Sequence, residues 1–177
     1  MTTFLYRLMG AAMLDAATYE QLEVNKHATF QALVVVVLSS LAAGVGAGVR
    51  WIPGVAGFAT ICLMALITWI AWAFITLQIG TKLLPASGTR SDVGELLRTL
   101  GFAASPGLLQ VFGVIPGVTV PVFLLTVVWM FAAMVIAVRE ALDYEGTGRA
   151  LAVCALGGAM TGLLVLLISY LAGGRAS

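Results

Sequence analysis

The stretch "TLGFAASPGLLQVFGV", Thr99–Val114, decides how many times this chain crosses a membrane. It is apolar almost throughout, but short. As a straight α-helix rising about 1.5 Å per residue it reaches roughly 24 Å, less than a hydrocarbon core of roughly 30 Å. Pro106 lacks a backbone N–H and tends to break or kink a helix, and it stands between Ser105 and Gly107. The stretch is either a Pro-broken span or a re-entrant piece, and the rest of the chain has to choose between them.

The surroundings are those of a membrane protein. Of 177 residues, 61% are hydrophobic and 10% charged, against roughly 45–50% apolar in soluble domains, and the mean hydropathy is +1.06. Nine basic and eight acidic side chains cannot cover a soluble surface of this size, so lipid is the expected solvent. Four other apolar segments, residues 29–49, 54–80, 118–138 and 150–171, are each long enough to span. The expected fold is all-α, a polytopic transmembrane helical bundle of five spans whose third, 99–114, is short and broken by Pro106. Residues 1–28 precede the membrane domain (29–172), and 173–177 form a tail. The N-terminal stretch is expected to be retained rather than cleaved as a signal peptide, because Asp15 interrupts its apolar part and Glu20 and Glu23 follow without a convincing cleavage site.

Basic residues favour the crossing. Lys and Arg accumulate on the cytoplasmic side of spans. With five crossings and the N-terminus inside, Arg7, Lys26, Lys82, Arg90, Arg98, Arg139 and Arg149 are cytoplasmic, and Arg50 and Arg175 lie outside. If 99–114 fails to cross, the bias weakens. The expected location is therefore the cell membrane, multi-pass, with Met1 in the cytoplasm.

Loops and helix ends follow. "RWIPG" (Arg50–Gly54) and "GVIPG" (Gly113–Gly117) read as tight outer turns. In the longest inner connection, Lys82–Arg98, Ser91 or Asp92 caps a short helix expected on the inner surface, with Val93, Leu96, Leu97 and Leu100 on its apolar side. Phe4, Leu5, Leu8, Met9, Ala12 and Met13 recur at helical spacing, which suits an interfacial helix or one packed on the bundle. Gly44 with Gly48, and Gly158 with Gly162, have the spacing that lets helices approach closely.

No catalytic constellation stands out. The one histidine, His27, sits where the first span begins, and Cys62 and Cys154 lie inside apolar runs, so neither a metal, a cofactor nor a catalytic centre is expected. The charge balance, +1 overall, argues against nucleic acid. No ionisable residue occupies the centre of an apolar segment, which argues against a proton-coupled pump. Gln78 and Gln110 are the most polar intramembrane side chains; they read as interhelical hydrogen bonds, or as the wall of a neutral-solute or lipid path together with Pro106. Between the last two segments lies a charged island, "VREALDYEGTGRAL" (Val138–Leu151), where Gly146 is expected to stop one helix and Thr147 to cap the next. Within it Arg139 and Glu140 abut the membrane edge, and Glu140 is expected to pair with Lys82 or Arg98.

The series "LDAATYEQLEVNKHATFQAL", "IGTKLL", "LLRTLGFAASPGLL", "AVREAL" and "GRALAV", in that order around the spans, resembles the bacterial branch of the Yip1 family of membrane proteins. The resemblance implies five spans, a cytosolic N-terminus and an inner-membrane location. Eukaryotic members of that family associate with small GTPases in membrane traffic, but this chain lacks their long cytosolic N-terminal region. The lack of catalytic groups and the clustering of charge on the inner side lead to the expected function, a non-enzymatic, membrane-organising, trafficking-like or scaffold role through the cytoplasmic face, with the bilayer and a protein partner or second copy as partners. The rival is a channel or transporter for a neutral solute or lipid.

Overall fold

The computed structural model describes residues 2–47, 54–85 and 91–173, those at 2, 54–62, 65 and 164–173 by their backbone alone. The described residues are helical, with no strand among them. Seven α-helices follow in order: α1 (Thr2–Ala12), α2 (Ala16–Val24), α3 (Ala28–Gly46), α4 (Gly54–Gln78), α5 (Val93–Ala103), α6 (Thr119–Ala141) and α7 (Thr147–Gly173). A π-helical turn, Ile79–Leu83, extends α4, and a 3₁₀ helix, Ser105–Val114, extends α5. Among the described residues three stretches are long and apolar enough to cross a membrane: Ala28–Gly46, Leu66–Leu83 and Thr119–Ala141.

The third segment differs from expectation in a way its sequence explains. Its helix starts at Val93, not Thr99. Asp92 caps it through a reciprocal capping box: Glu95 N–H donates to Asp92 Oδ1 at 2.9 Å, and Asp92 N–H donates to Glu95 Oε2 at 2.9 Å. The expected short surface helix is thus the first half of the segment itself, and Leu96 together with residues 98–107 is buried. Pro106 falls in the first turn of the 3₁₀ helix, where its missing N–H has no partner to lose. Eleven α residues rise about 16 Å and ten 3₁₀ residues, at about 2.0 Å each, about 20 Å. The path is therefore about 36 Å rather than 24 Å.

A 3₁₀ run of ten residues is unusually long, and its packing accounts for it. With three residues per turn, positions six apart share a face. Gly107 and Gly113 are such positions, and they lie against Ser39 and Gly46, which are seven apart on α3 and so share one face of an α-helix; Gly101, in the α-helical half of the segment, lies against Ala32 one step earlier on the same face. A methyl group at Gly101 would stand 2.6 Å from Ala32 Cβ, one at Gly107 would stand 3.2 Å from Ser39 Cβ, and one at Gly113 would stand 2.9 Å from the Gly46 carbonyl oxygen. Two 3₁₀ turns rise about 12 Å and seven α residues about 10.5 Å, so the two ladders stay nearly in register. By contrast, among the described residues nothing stands within 4 Å of a methyl group added at Gly44 or Gly162, and Gly158 meets only the Trp72 ring; Gly48 lies outside the described residues.

α1 and α2 form a hairpin packed on α5 and α6. Its inner side carries Phe4, whose ring centroid is 6.2 Å from that of Phe102, and the fully buried Tyr19 and Leu22. Tyr19 Oη donates to the Ala11 carbonyl at 3.0 Å, and Trp129 Nε1 of α6 donates to the Ala12 carbonyl at 2.7 Å. Leu5, Tyr6, Met9 and Met13 are left exposed on the other side. So α1 both packs on the bundle and keeps an outward apolar stripe.

Both α1 and α6 end in the same motif. Leu14 (φ 64°) and Asp143 (φ 52°) are left-handed. In each case the N–H of that residue and of the next turn back onto the helix: Leu14 to Ala11, Asp15 to Gly10, Asp143 to Glu140 and Tyr144 to Arg139. This is a Schellman closure with a non-glycine at its left-handed position. The helix is therefore stopped by Asp143, three residues before the expected stop at Gly146, and Thr147 is the first residue of α7 rather than its cap.

Candidate functional site

Most charged groups of the described residues lie at one end of the bundle, formed by the end of α2, the start of α5, the π turn after α4 and the α6–α7 turn; Asp15, in the α1–α2 turn beside the Ala12 carbonyl that Trp129 holds, lies apart. Arg98 is 5% exposed. Its Nε donates to the Leu22 carbonyl at 3.0 Å and the Glu23 carbonyl at 3.1 Å, and its Nη2 also donates to the Glu23 carbonyl. These are free acceptors at the last turn of α2, so a buried cation caps a helix C-terminus with its charge aligned to the dipole. Arg98 holds the hairpin to α5.

Glu140 is partnered, but not by the residues expected. Arg139, its sequence neighbour, donates to Glu140 Oε1 from Nε at 2.8 Å and from Nη2. Lys82 is exposed on the π turn, and Arg98 is committed to backbone carbonyls. The two side chains of the Arg139–Glu140 pair keep 28% and 23% of their surface. Such a pair is worth about 0–1 kcal/mol.

Two residues at this end carry more of the architecture than the charges do. The single O–H of Tyr144 is shared between the Gly80 carbonyl at 3.0 Å and the Leu84 carbonyl at 2.8 Å, acceptors left over where α4 widens into its π turn. Arg149 Nη1 donates to the Pro85 carbonyl at 3.0 Å. The island therefore clamps the end of α4. Glu23 is half-buried, and burial together with the charges of Asp143, Glu95, Glu140 and Glu20 pushes its carboxyl up from 4.5 to about 7.

The intramembrane candidates lie apart. Gln78, half-buried, is two residues from the Gly80 carbonyl that Tyr144 holds, at the charged end. Gln110 lies toward the other end, where its carbonyl oxygen abuts Gly46; its Nε2 donates to Thr126 Oγ1 of α6 at 3.1 Å, and Thr126 donates on to the Val122 carbonyl at 2.8 Å. Pro106 is buried in the 3₁₀ helix. A cavity of ≈ 580 Å³ does open in the bundle, but none of these three lines it; its walls are Ser39, Ser40, Thr68, Trp69, Trp72 and neighbouring Met, Val, Leu and Ala side chains. Cys154 is buried and free, and Cys62 falls outside the described side chains. Among the described residues no three His, Cys, Asp or Glu side chains are grouped to hold a metal ion.

Sequence reasoning passed over Glu23, Tyr144 and the indoles of Trp69 and Trp72. The signal available for the last three was an aromatic ring with a polar handle set in apolar surroundings, since such handles usually find a partner when buried. Compared with protein-family models, curated proteins and solved structures, the chain matches none of them.

Proposed function

We propose that the chain is a five-span protein of the cell membrane, N-terminus in the cytoplasm, that organises partners at its charged end without catalysing a reaction. Five crossings are supported by the roughly 36 Å path of the third segment and by the excess of Lys and Arg on one side. The resemblance to the Yip1 family points the same way, toward a membrane-organising or trafficking-like scaffold in a bacterial inner membrane.

One observation carries the functional reading. At the charged end the buried polar groups, Arg98 and Tyr144, are used to clamp helices together, while Glu20, Val24, Lys26, His27 and Lys82 remain exposed around them. That is a clamped ledge with an exposed outer surface, which suits docking. A photo-crosslinking residue at Val24 tests it, with Val120 at the far end of α6 as control. Val24 should give one discrete adduct, either a dimer or a complex of a defined mass, that Lys26→Glu weakens. Lipid adducts alone at both positions contradict the reading, and reproducible saturable solute flux in liposomes would favour the channel instead.

A further inference from the structure

The α1–α2 hairpin runs down the bundle from its charged end to its mid-depth. At the charged end Arg98 donates to the Leu22 and Glu23 carbonyls, the last turn of α2. The closed end of the hairpin is held far below by Trp129 of α6, whose Nε1 donates to the Ala12 carbonyl at 2.7 Å. Trp129 stands at the middle of α6 (Thr119–Ala141), which is long and apolar enough to span. The nine residues of α2 rise about 13 Å, close to half of a hydrocarbon core of roughly 30 Å. α1 runs beside it, with Phe4 against Phe102 of α5, and also touches the 3₁₀ helix that follows α5.

The turn is built for a place without water. The carbonyls of Met9, Gly10, Ala11, Ala12 and Asp15 each accept a hydrogen bond, from Met13, Asp15, Leu14 and Tyr19, Trp129, and Thr18 in turn. In hydrocarbon, backbone polar groups have to find their partners within the protein. Asp15, exposed at the tip, accepts from Thr18 Oγ1 at 2.6 Å and stands at the N-terminus of α2, where the helix dipole favours a carboxylate. Arg7 and Glu20, higher on the hairpin, line a groove shared with Asn25, Lys26 and His27, the polar edge where α3 begins. Arg7 Nη1 also donates to Gln31 in the first turns of α3 at 2.9 Å. Long charged side chains reach the membrane edge in this way while their backbone lies deeper.

We infer that α1 and α2 form a re-entrant hairpin, which enters one leaflet and turns back near the bilayer mid-plane, with Leu5, Tyr6, Met9 and Met13 packed against the acyl chains of that leaflet. A helix lying flat in the headgroup layer stands roughly 15 Å from the membrane centre, too far for Ala12 to meet Trp129. The four side chains recur at helical spacing on α1, and each is more than half exposed. The exposed apolar surface continues beyond the tip. Leu125 and Val128, one turn and one residue before Trp129 on α6, are 63% and 68% exposed in the middle of a stretch apolar enough to span. The stripe on α1 is thus continuous with the hydrocarbon-facing surface of α6, and acyl chains cover both. The inference rests on the chain spanning the membrane but not on the docking role of its charged end.

The test uses the full chain in nanodiscs of phosphatidylcholine and phosphatidylglycerol, with Cys62 and Cys154 replaced by serine and alanine. A single nitroxide is attached at Leu5→Cys, Met9→Cys, Met13→Cys or Val128→Cys, all exposed positions that a label leaves folded. Power saturation then compares collisions with oxygen, which concentrates in hydrocarbon, against those with a water-soluble nickel chelate. The oxygen-to-nickel ratio should rise several-fold from Leu5 through Met9 to Met13, about 12 Å further along α1, and should be high at Val128. An equal ratio at the three α1 positions, with a high one at Val128, would lay the hairpin flat at the surface or in water and overturn the inference. Spin–spin broadening at Met9 and Met13 that disappears on dilution with unlabelled chain would mean that a second copy covers the stripe, and would overturn the acyl-chain contact. A low ratio at Val128 as well would overturn the span itself, and the placement of the hairpin with it.

Discussion

Replacing Gly46 with alanine tests the close approach of α3 to the 3₁₀ helix. The added methyl group runs into the Gln110 carbonyl oxygen and its carbon, which are backbone and cannot swing aside, and also stands 3.2 Å from the Phe123 ring. Carbon contacts are comfortable at about 3.5–4.0 Å, so the helices must separate, and the Gln110–Thr126 bond lies in the path of that movement. Overpacking of this kind costs about 1–3 kcal/mol, here at the upper end; the helical preference of Ala over Gly returns about 1 kcal/mol. The net expectation is a loss of about 2 kcal/mol, or about 5 °C for a chain of this size. Gly44→Ala is the internal control: same helix, two residues away, with open space around the new methyl group, so it should gain about 0.5–1 kcal/mol. Thermal unfolding of both variants in one mild detergent, followed by circular dichroism, reads the difference. Equal melting temperatures for Gly44→Ala and Gly46→Ala would refute the close approach, and with it the reason for the long 3₁₀ run.

Tyr144→Phe removes the donor held by the Gly80 and Leu84 carbonyls, and should lower stability in the same assay by about 1–2 kcal/mol. Arg98→Met strands the last carbonyls of α2, so trypsin should cut at Lys26 several-fold faster than in the parent protein while the rest of the bundle resists. For Glu23 the folded carboxyl is raised from 4.5 to about 7, so the folded state holds the proton more tightly. Its contribution is fully present below pH 4.5 and is lost as pH rises through about 7, an effect of about 1 kcal/mol after screening at a half-buried site. Glu23→Gln should therefore raise the melting temperature at pH 8 and leave it unchanged at pH 4.5. Asp143→Asn keeps a residue that tolerates the left-handed conformation but removes the largest repelling charge, so a carboxyl NMR titration should find Glu23 at lower pKa.

The class of the fold was legible because lipid leaves a compositional mark, and the cap at Asp92 was legible because the pair Asp92 and Glu95 has the spacing of a reciprocal box. The length of the third segment was not. Reading Thr99–Val114 at the α-helical rise misses both its earlier start and its steeper 3₁₀ half, and Arg98 looks like a membrane edge when it is a buried clamp. The clamp's acceptors are backbone carbonyls of α2, which no side-chain pattern reveals. Four-residue spacing pointed to Gly44 with Gly48 and to Gly158 with Gly162, whereas Gly107 and Gly113, which pack against α3, are six apart, because the 3₁₀ helix they sit on has three residues per turn. Glu140 found its partner next door in Arg139, so the charged island is held together more by Tyr144 and Arg149 than by ion pairs between loops.

The crossing of the third segment is tested most directly by placing single cysteines at its two ends, with Cys62 and Cys154 replaced by serine and alanine. Ser91 precedes α5, and the exposed Ile115 follows the 3₁₀ helix. A membrane-impermeant maleimide applied to intact cells should label Ile115→Cys, and should label Ser91→Cys and Glu145→Cys only after the cells are opened. Labelling of Ser91→Cys and Ile115→Cys from the same side would contradict a third span.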